Sequence, residues 1–119
     1  MTEDCLFCKI VKKEIPAKEI LENDSFLAIH DIHPKAPVHI LVLPKKHIVS
    51  AWHLKEDDTE LAGELILFAN SAAQKVGIAK GYKLVFNVGR DGGQIIDHLH
   101  LHVLGGWKND HDRDFEQKP

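Results

Sequence analysis

Three histidines alternate with aliphatic residues in the stretch His98-Leu99-His100-Leu101-His102-Val103-Leu104. On an extended strand successive side chains project from opposite faces. The three imidazoles therefore share one face at spacings of ~6.6–6.8 Å, and Leu99, Leu101 and Val103 share the other. A neutral imidazole is a good nucleophile near neutral pH, because its reference pKa of ~6.5 leaves most of it unprotonated. Attack on phosphorus would give a labile covalent intermediate, and neighbouring imidazoles can orient the nucleophile and move protons. The alternatives for such a run are metal binding, or a strand face that merely meets solvent.

Two cysteines, Cys5 and Cys8, are separated by two residues, a spacing used by metal sites and redox motifs more than by the disulfides of small secreted domains. They are expected to be thiols in the cell. A double glycine in Asp91-Gly92-Gly93-Gln94-Ile95 lets backbone N–H groups approach an anion without side-chain obstruction.

These residues need elements to hold them. Leu6, Phe7, Ile10 and Val11 have helix-like spacing, which predicts a short amphipathic helix over Leu6 to Lys13, and Pro16 blocks its continuation. The runs Ser25 to His30 and Val38 to Leu43, separated by Asp31-Ile32-His33-Pro34, read as neighbouring antiparallel strands. Leu61, Leu65, Phe68, Ala69, Ala72 and Val76 recur on one helical face, which predicts a long helix capped by Asp58 or Thr59 with Gly77 beyond it. Tyr82 to Val88 reads as a strand, Gly89 to Gly93 as a turn, and His98 to Leu104 as a strand ended by Gly105-Gly106. The expected architecture is α+β, an antiparallel meander sheet of about five strands with one long helix and a short N-terminal one.

Composition sets outer bounds. The chain has 119 residues, 44% apolar, enough for one compact domain, expected over residues 1–107, followed by a polar tail over 108–119. A net charge of −3 with interspersed signs provides no basic stripe for nucleic acid. No apolar run approaches the ~20 residues that span a bilayer, and Met1-Thr2-Glu3-Asp4 does not open a signal peptide, so a cytoplasmic protein without membrane partners is expected.

The run from His98 to Leu104 resembles the signature of the histidine triad (HIT) superfamily, and the match is complete. The resemblance extends from Phe7 to Gly106 and includes Ile15-Pro16-Ala17, His30-Asp31-Ile32, Pro44-Lys45-Lys46-His47 and Asp91-Gly92-Gly93-Gln94. It is closest in character to the Hint branch, the purine nucleoside phosphoramidases, in a zinc-containing form. The resemblance implies a HIT-like fold and a hydrolase that releases AMP and an amine from adenosine phosphoramidates. His100 would attack the α-phosphorus, His102 would contact phosphate oxygens, His39 would support the triad as a fourth histidine, and Asn87 would help position phosphate and leaving group. No organic cofactor is required.

A nucleotide also needs an acceptor for its ribose hydroxyls, apolar walls for its base and donors around its phosphate. Asp31 matches the family's ribose-binding acid, and its neighbours His30 and Ile32 belong to the same pocket segment. Leu6, Phe7, Ile10, Ile15, Ile29, Ile32 and Leu41 match the base cleft, although any of them could simply be core. Gly93, Gln94 and Ile95 would supply backbone donors to the phosphate. Ile95 stands where Hint enzymes often carry a serine, so a hydroxyl donor is missing there. Asp31 read alone could be a turn aspartate, His39 a core imidazole and Asn87 a strand cap.

Cys5, Cys8, His47 and His98 would together form an N/S set suited to a tetrahedral structural zinc, as in zinc-containing members of the superfamily. The alternative is two unliganded thiols and an ordinary surface His47. The family also implies a homodimer, paired through the long helix and the strand near Tyr82 to Val88, and small sheets have edges to protect. The tail beyond Trp107 departs from the familiar branch members. Two other readings stay open: a dinucleoside polyphosphate hydrolase, and a nucleotide-binding interaction protein with incidental catalysis.

Overall fold

The computed structural model describes residues 4–108. The tail expected over 108–119 therefore lies outside the described residues except for Lys108. Five strands form one sheet: β1 (Glu19–Glu22), β2 (Phe26–His30), β3 (Val38–Pro44), β4 (Tyr82–Val85) and β5 (Leu101–Gly105). Two helices, α1 (Leu6–Val11) and α2 (Thr59–Lys75), complete it. The α+β class with one long helix, one short one and five antiparallel strands is as the sequence implies.

The strand order is β1-β2-β3-β5-β4, and every neighbouring pair is antiparallel. The first three strands form a meander, α2 then carries the chain across, and the β4–β5 hairpin completes the far side with β5 inserted against β3. β1 is short and was not among the strands named from the sequence. Its turn into β2 is made by Asn23, whose Oδ1 accepts the N–H groups of Ser25 and Phe26 at 2.9 and 2.7 Å.

Alternation along the strands sorts side chains into two layers. Phe26, Ala28, Ile40, Val42, Leu99, Leu101 and Val103 pack against Leu65, Phe68, Ala69, Ala72 and Ala73 of α2. On the other face Leu27, Ile29, Leu41 and Leu43 pack against Phe7, Cys8 and Ile10 of α1. Both predicted amphipathic helices thus pack on the sheet, one on each face, although Leu6 of the α1 stripe stays exposed.

The boundaries differ in informative ways. α1 stops at Val11, two residues before the expected Lys13, because Lys13 turns left-handed at φ 66°. Strand pairing in β5 begins at Leu101 rather than His98, since the β3–β5 ladder ends at Val42 opposite Leu101 and the Leu99 N–H bonds Ile48 O instead. The alternation continues regardless: Leu99 still faces α2 and His98 still faces α1. β4 ends at Val85, leaving Asn87 in the connection to the glycine turn. Neither expected residue caps α2 with its side chain, because Asp58 accepts from the Lys55 N–H and the Lys46 ammonium while the Thr59 hydroxyl donates to Glu56 O.

Candidate active site and metal centre

β3 and β5 lie side by side, so His39, Leu41, His100, His102 and Leu104 all emerge on the α1 face. They wall a cavity of about 810 Å³. One end is apolar, lined by Leu6, Phe7 and Ile10 of α1 with Ile15, Ile29 and Leu41. His30, Asp31 and Ile32 line its side, Asn87, Gly93 and Ile95 face the imidazoles, and Lys83, Leu104 and Trp107 extend the far end. The last three, with Val85, were not identified from the sequence; their only signal was the strand alternation that puts them on the His102 face.

Hydrogen bonds fix the tautomer of each imidazole. His100 Nδ1 lies 2.7 Å from His98 O, an acceptor only, so Nδ1 carries the proton and Nε2 keeps its lone pair. Burial lowers the His100 pKa from its ordinary value, which keeps the ring neutral. The Lys35 backbone N–H donates to His39 Nδ1 at 3.0 Å, so the His39 proton sits on Nε2. That Nε2–H donates to His102 Nδ1 at 2.9 Å, which places the His102 proton on its own Nε2. Burial first, then the charges of His100 and His39, push His102 down to about 4. His102 Nε2 lies 3.4 Å from Asn87 Nδ2, and in this tautomer both are donors, so they do not bond each other but can share an acceptor oxygen. Side by side, the site presents one lone pair and one N–H donor, the pairing that attack on a phosphoryl group needs.

The loop after β4 is narrower in its capacity than the double glycine implies. The N–H groups of Gly92, Gly93 and Gln94 donate to Gly89 O, Arg90 O and Gly89 O, closing the turn on itself. They are therefore not a phosphate cradle, whereas the Ile95 N–H takes no part in the turn. The Gln94 side chain is equally committed: buried, it donates to Val49 O and Ile96 O and accepts from the Gly89 N–H. Gln94 thus holds the loop in place and does not line the cavity. Gly93 does line it, with φ 89° that a side chain would strain. Ile95 projects into the mouth with 82% of its surface exposed.

Behind the triad, the four expected metal ligands converge. His98 is fully buried, and its Nε2 donates to Pro44 O at 2.8 Å, leaving Nδ1 as a lone pair. That Nδ1 lies 3.3 Å from Cys5 Sγ, 3.5 Å from Cys8 Sγ and 3.2 Å from His47 Nδ1. Cys8 Sγ lies 3.2 Å from His47 Nδ1. Tetrahedral zinc with N and S ligands would separate them by about 3.3–3.8 Å, given bond lengths of about 2.0–2.3 Å. The four atoms are therefore close enough to hold a metal ion. In the metal-free protein burial and the Cys5 hydrogen bond push the Cys8 thiol up to about 11, and burial pushes His98 down to about 4. A cation would favour the Cys8 thiolate, and His98 already offers it a neutral lone pair.

Asp31, His39 and His102 form a second close group. It is not equivalent, because the Lys35 N–H occupies His39 Nδ1 and so keeps a proton on Nε2, the atom that would have to ligate.

This arrangement of alternating histidines on a central strand, with a fourth histidine across it, is that of histidine triad proteins. The HIT domain family matches residues 12–109, and the chain belongs to it. A HIT family hydrolase from Legionella pneumophila Philadelphia 1 has a similar structure, with a TM-score of 0.85 and 47% identity over 88% of this chain and 95% of that one. A HIT family hydrolase from Clostridium thermocellum is similar at TM-score 0.86 and 43% identity, covering 88% and 92%. Protein HitA of Neisseria gonorrhoeae is 39% identical over 103 residues, 87% of this chain and 96% of that protein. The described residues contain no helix long and apolar enough to cross a membrane.

Proposed function

We propose that this protein hydrolyses purine nucleoside 5′-phosphoramidates to a nucleoside monophosphate and an amine, through a covalent nucleotidyl-His100. The observation that carries this reading is the His100 Nδ1–H bond to His98 O, which leaves Nε2 unprotonated on the wall of the cavity. The base would lie among Phe7, Ile10 and Leu41, the ribose hydroxyls on Asp31, and the phosphate between His100, His102 and Asn87. In the first step the Nε2 lone pair bonds to phosphorus and the P–N bond breaks. Its electron pair stays on the amine nitrogen, which takes a proton from water at the open mouth. His102 Nε2–H donates to a phosphoryl oxygen, stabilising the charge that builds there. Water then attacks phosphorus, the Nε2–P bond breaks, and AMP leaves with the proton balance restored.

The four clustered ligands fit zinc better than a hard cation, because two are thiols. Bound there, the ion would fasten α1 to the triad segment, and with every position filled by protein it would be structural. Free thiols at Cys5 and Cys8 suit a reducing compartment such as the cytoplasm. A homodimer built on α2 and the β4 edge completes the reading.

The test is incubation with adenosine 5′-phosphoramidate and, separately, with diadenosine polyphosphates, for wild type and His100→Asn. AMP release from the first substrate and a nucleotidylated peptide containing position 100, both lost in the variant, are expected. Faster turnover of the dinucleotides would assign the polyphosphate hydrolase activity instead. Background rates for every substrate would leave only a nucleotide-binding protein.

A further inference from the structure

Asp31 sits immediately after β2 and is unusually well held for a residue at a cavity edge. Its backbone N–H donates to His39 O at 2.9 Å, and its Oδ1 accepts the His33 N–H at 2.8 Å. Its Oδ2 lies 3.4 Å from His39 Nε2, with only 17% of the side chain exposed. His39 Nε2 in turn bonds His102 Nδ1, and the rings of His39, His102 and His100 follow one another at centroid spacings of 5.1 and 5.0 Å. A fixed carboxylate thus ends a row of three imidazoles, His39 and His100 buried and His102 partly so, with the proposed nucleophile, His100, at the far end.

That row must accept positive charge during the reaction. His100 Nδ1 already carries a proton, so a bond from Nε2 to phosphorus turns the ring into a cation. A cation in a water-poor wall is costly unless opposite charge or aligned dipoles meet it. His98 O meets one edge of the ring. The carboxylate of Asp31 favours positive charge on His39 and His102, the two rings between it and His100, while Lys35 opposes it on both. His30 and His33 flank Asp31 on the exposed side.

Resting on the functional reading above, we propose that Asp31 does more than grip the ribose: its fixed carboxylate is the counter-charge that stabilises cationic nucleotidyl-His100 across the His39–His102 pair. Asp31 neither gains nor loses a proton in this role. The Nε2–P bond forms and the P–N bond breaks as before, and the carboxylate lowers the energy of the state between.

The two roles separate with a substrate that has no ribose hydroxyls to grip. Formation of the nucleotidyl-enzyme at saturating substrate would be followed by rapid quench and intact-protein mass. The substrates are adenosine 5′-phosphoramidate and its 2′,3′-dideoxy analogue, and the proteins are wild type, Asp31→Asn and Asp31→Glu. Asparagine keeps the shape and an acceptor for the His33 N–H, and removes only the charge. The expected result is a loss of at least about tenfold in the rate of adduct formation with both substrates for Asp31→Asn, partly restored in Asp31→Glu. Equal rates for wild type and Asp31→Asn on the dideoxy substrate would overturn the proposal and leave ribose binding as the sole role. Equal loss in the Asn and Glu variants would also overturn it, since the effect would then not follow charge. A wild type that forms no adduct with either substrate would bring down the functional reading itself, and this inference with it.

Discussion

A single backbone N–H, that of Lys35, decides what two imidazoles can do. By donating to His39 Nδ1 it commits His39 Nε2 and His102 Nε2 to be donors, so the order of proton positions is set before any substrate arrives. Keeping these rings neutral also ties stability to pH. In the unfolded chain they titrate near 6.5, whereas in the folded chain burial lowers His39 and pushes His102 down to about 4. Below 6.5 the unfolded state therefore binds more protons, so this contribution is intact above that pH and is lost progressively on the way down to about 4. Thermal melts should give a level midpoint from about pH 8 to 7 and a falling one from about pH 6 to 5. In His39→Gln, His102→Gln the fall should be shallower, and an unchanged slope would show that other groups govern it. The triad itself was legible in the sequence because it is local. Lys35 was not, since its effect depends on which backbone group a turn happens to aim at His39.

Among the elements, α2 approaches the sheet closely because Ala69, Ala72 and Ala73 leave no exposed surface there. Ala72→Leu should accordingly cost about 1–3 kcal/mol in denaturant unfolding, whereas a neutral change would mean the helix can shift outward. α1 is the opposite case. Its six residues are too few to be helical alone, yet with its N-cap Cys5 it supplies both thiols and much of the apolar cavity wall, with Phe7 edge-on to His98 and His100 at 6.0 and 5.1 Å. Removing metal with a chelator should lower the melting midpoint and also weaken AMP binding, both readable by calorimetry; unchanged AMP affinity would uncouple α1 from the metal. Periodicity located both helices and the central strands, since apolar stripes are local signals. It missed β1, which has only four residues with two glutamates at its ends, and it read the double glycine as an anion cradle when the turn spends those N–H groups on itself.

For the molecule as a whole, β4 is an open edge of the sheet, with Leu84 39% exposed on it and Leu67 of α2 65% exposed. Sedimentation at micromolar concentration should find a dimer, and Leu84→Asp should shift it toward monomer; a monomeric wild type would assign these side chains to solvent. The strand that carries His102 has the contrary position. β5 has partners on both sides, with α2 beneath it. Amide protons of Leu101 to Leu104 should consequently exchange with deuterium only when the entire domain opens, while those of α1 exchange through smaller excursions. On the proposed function, ligand exchange past the short α1 and bond-making beside the doubly paired β5 would fall to separate parts of the chain.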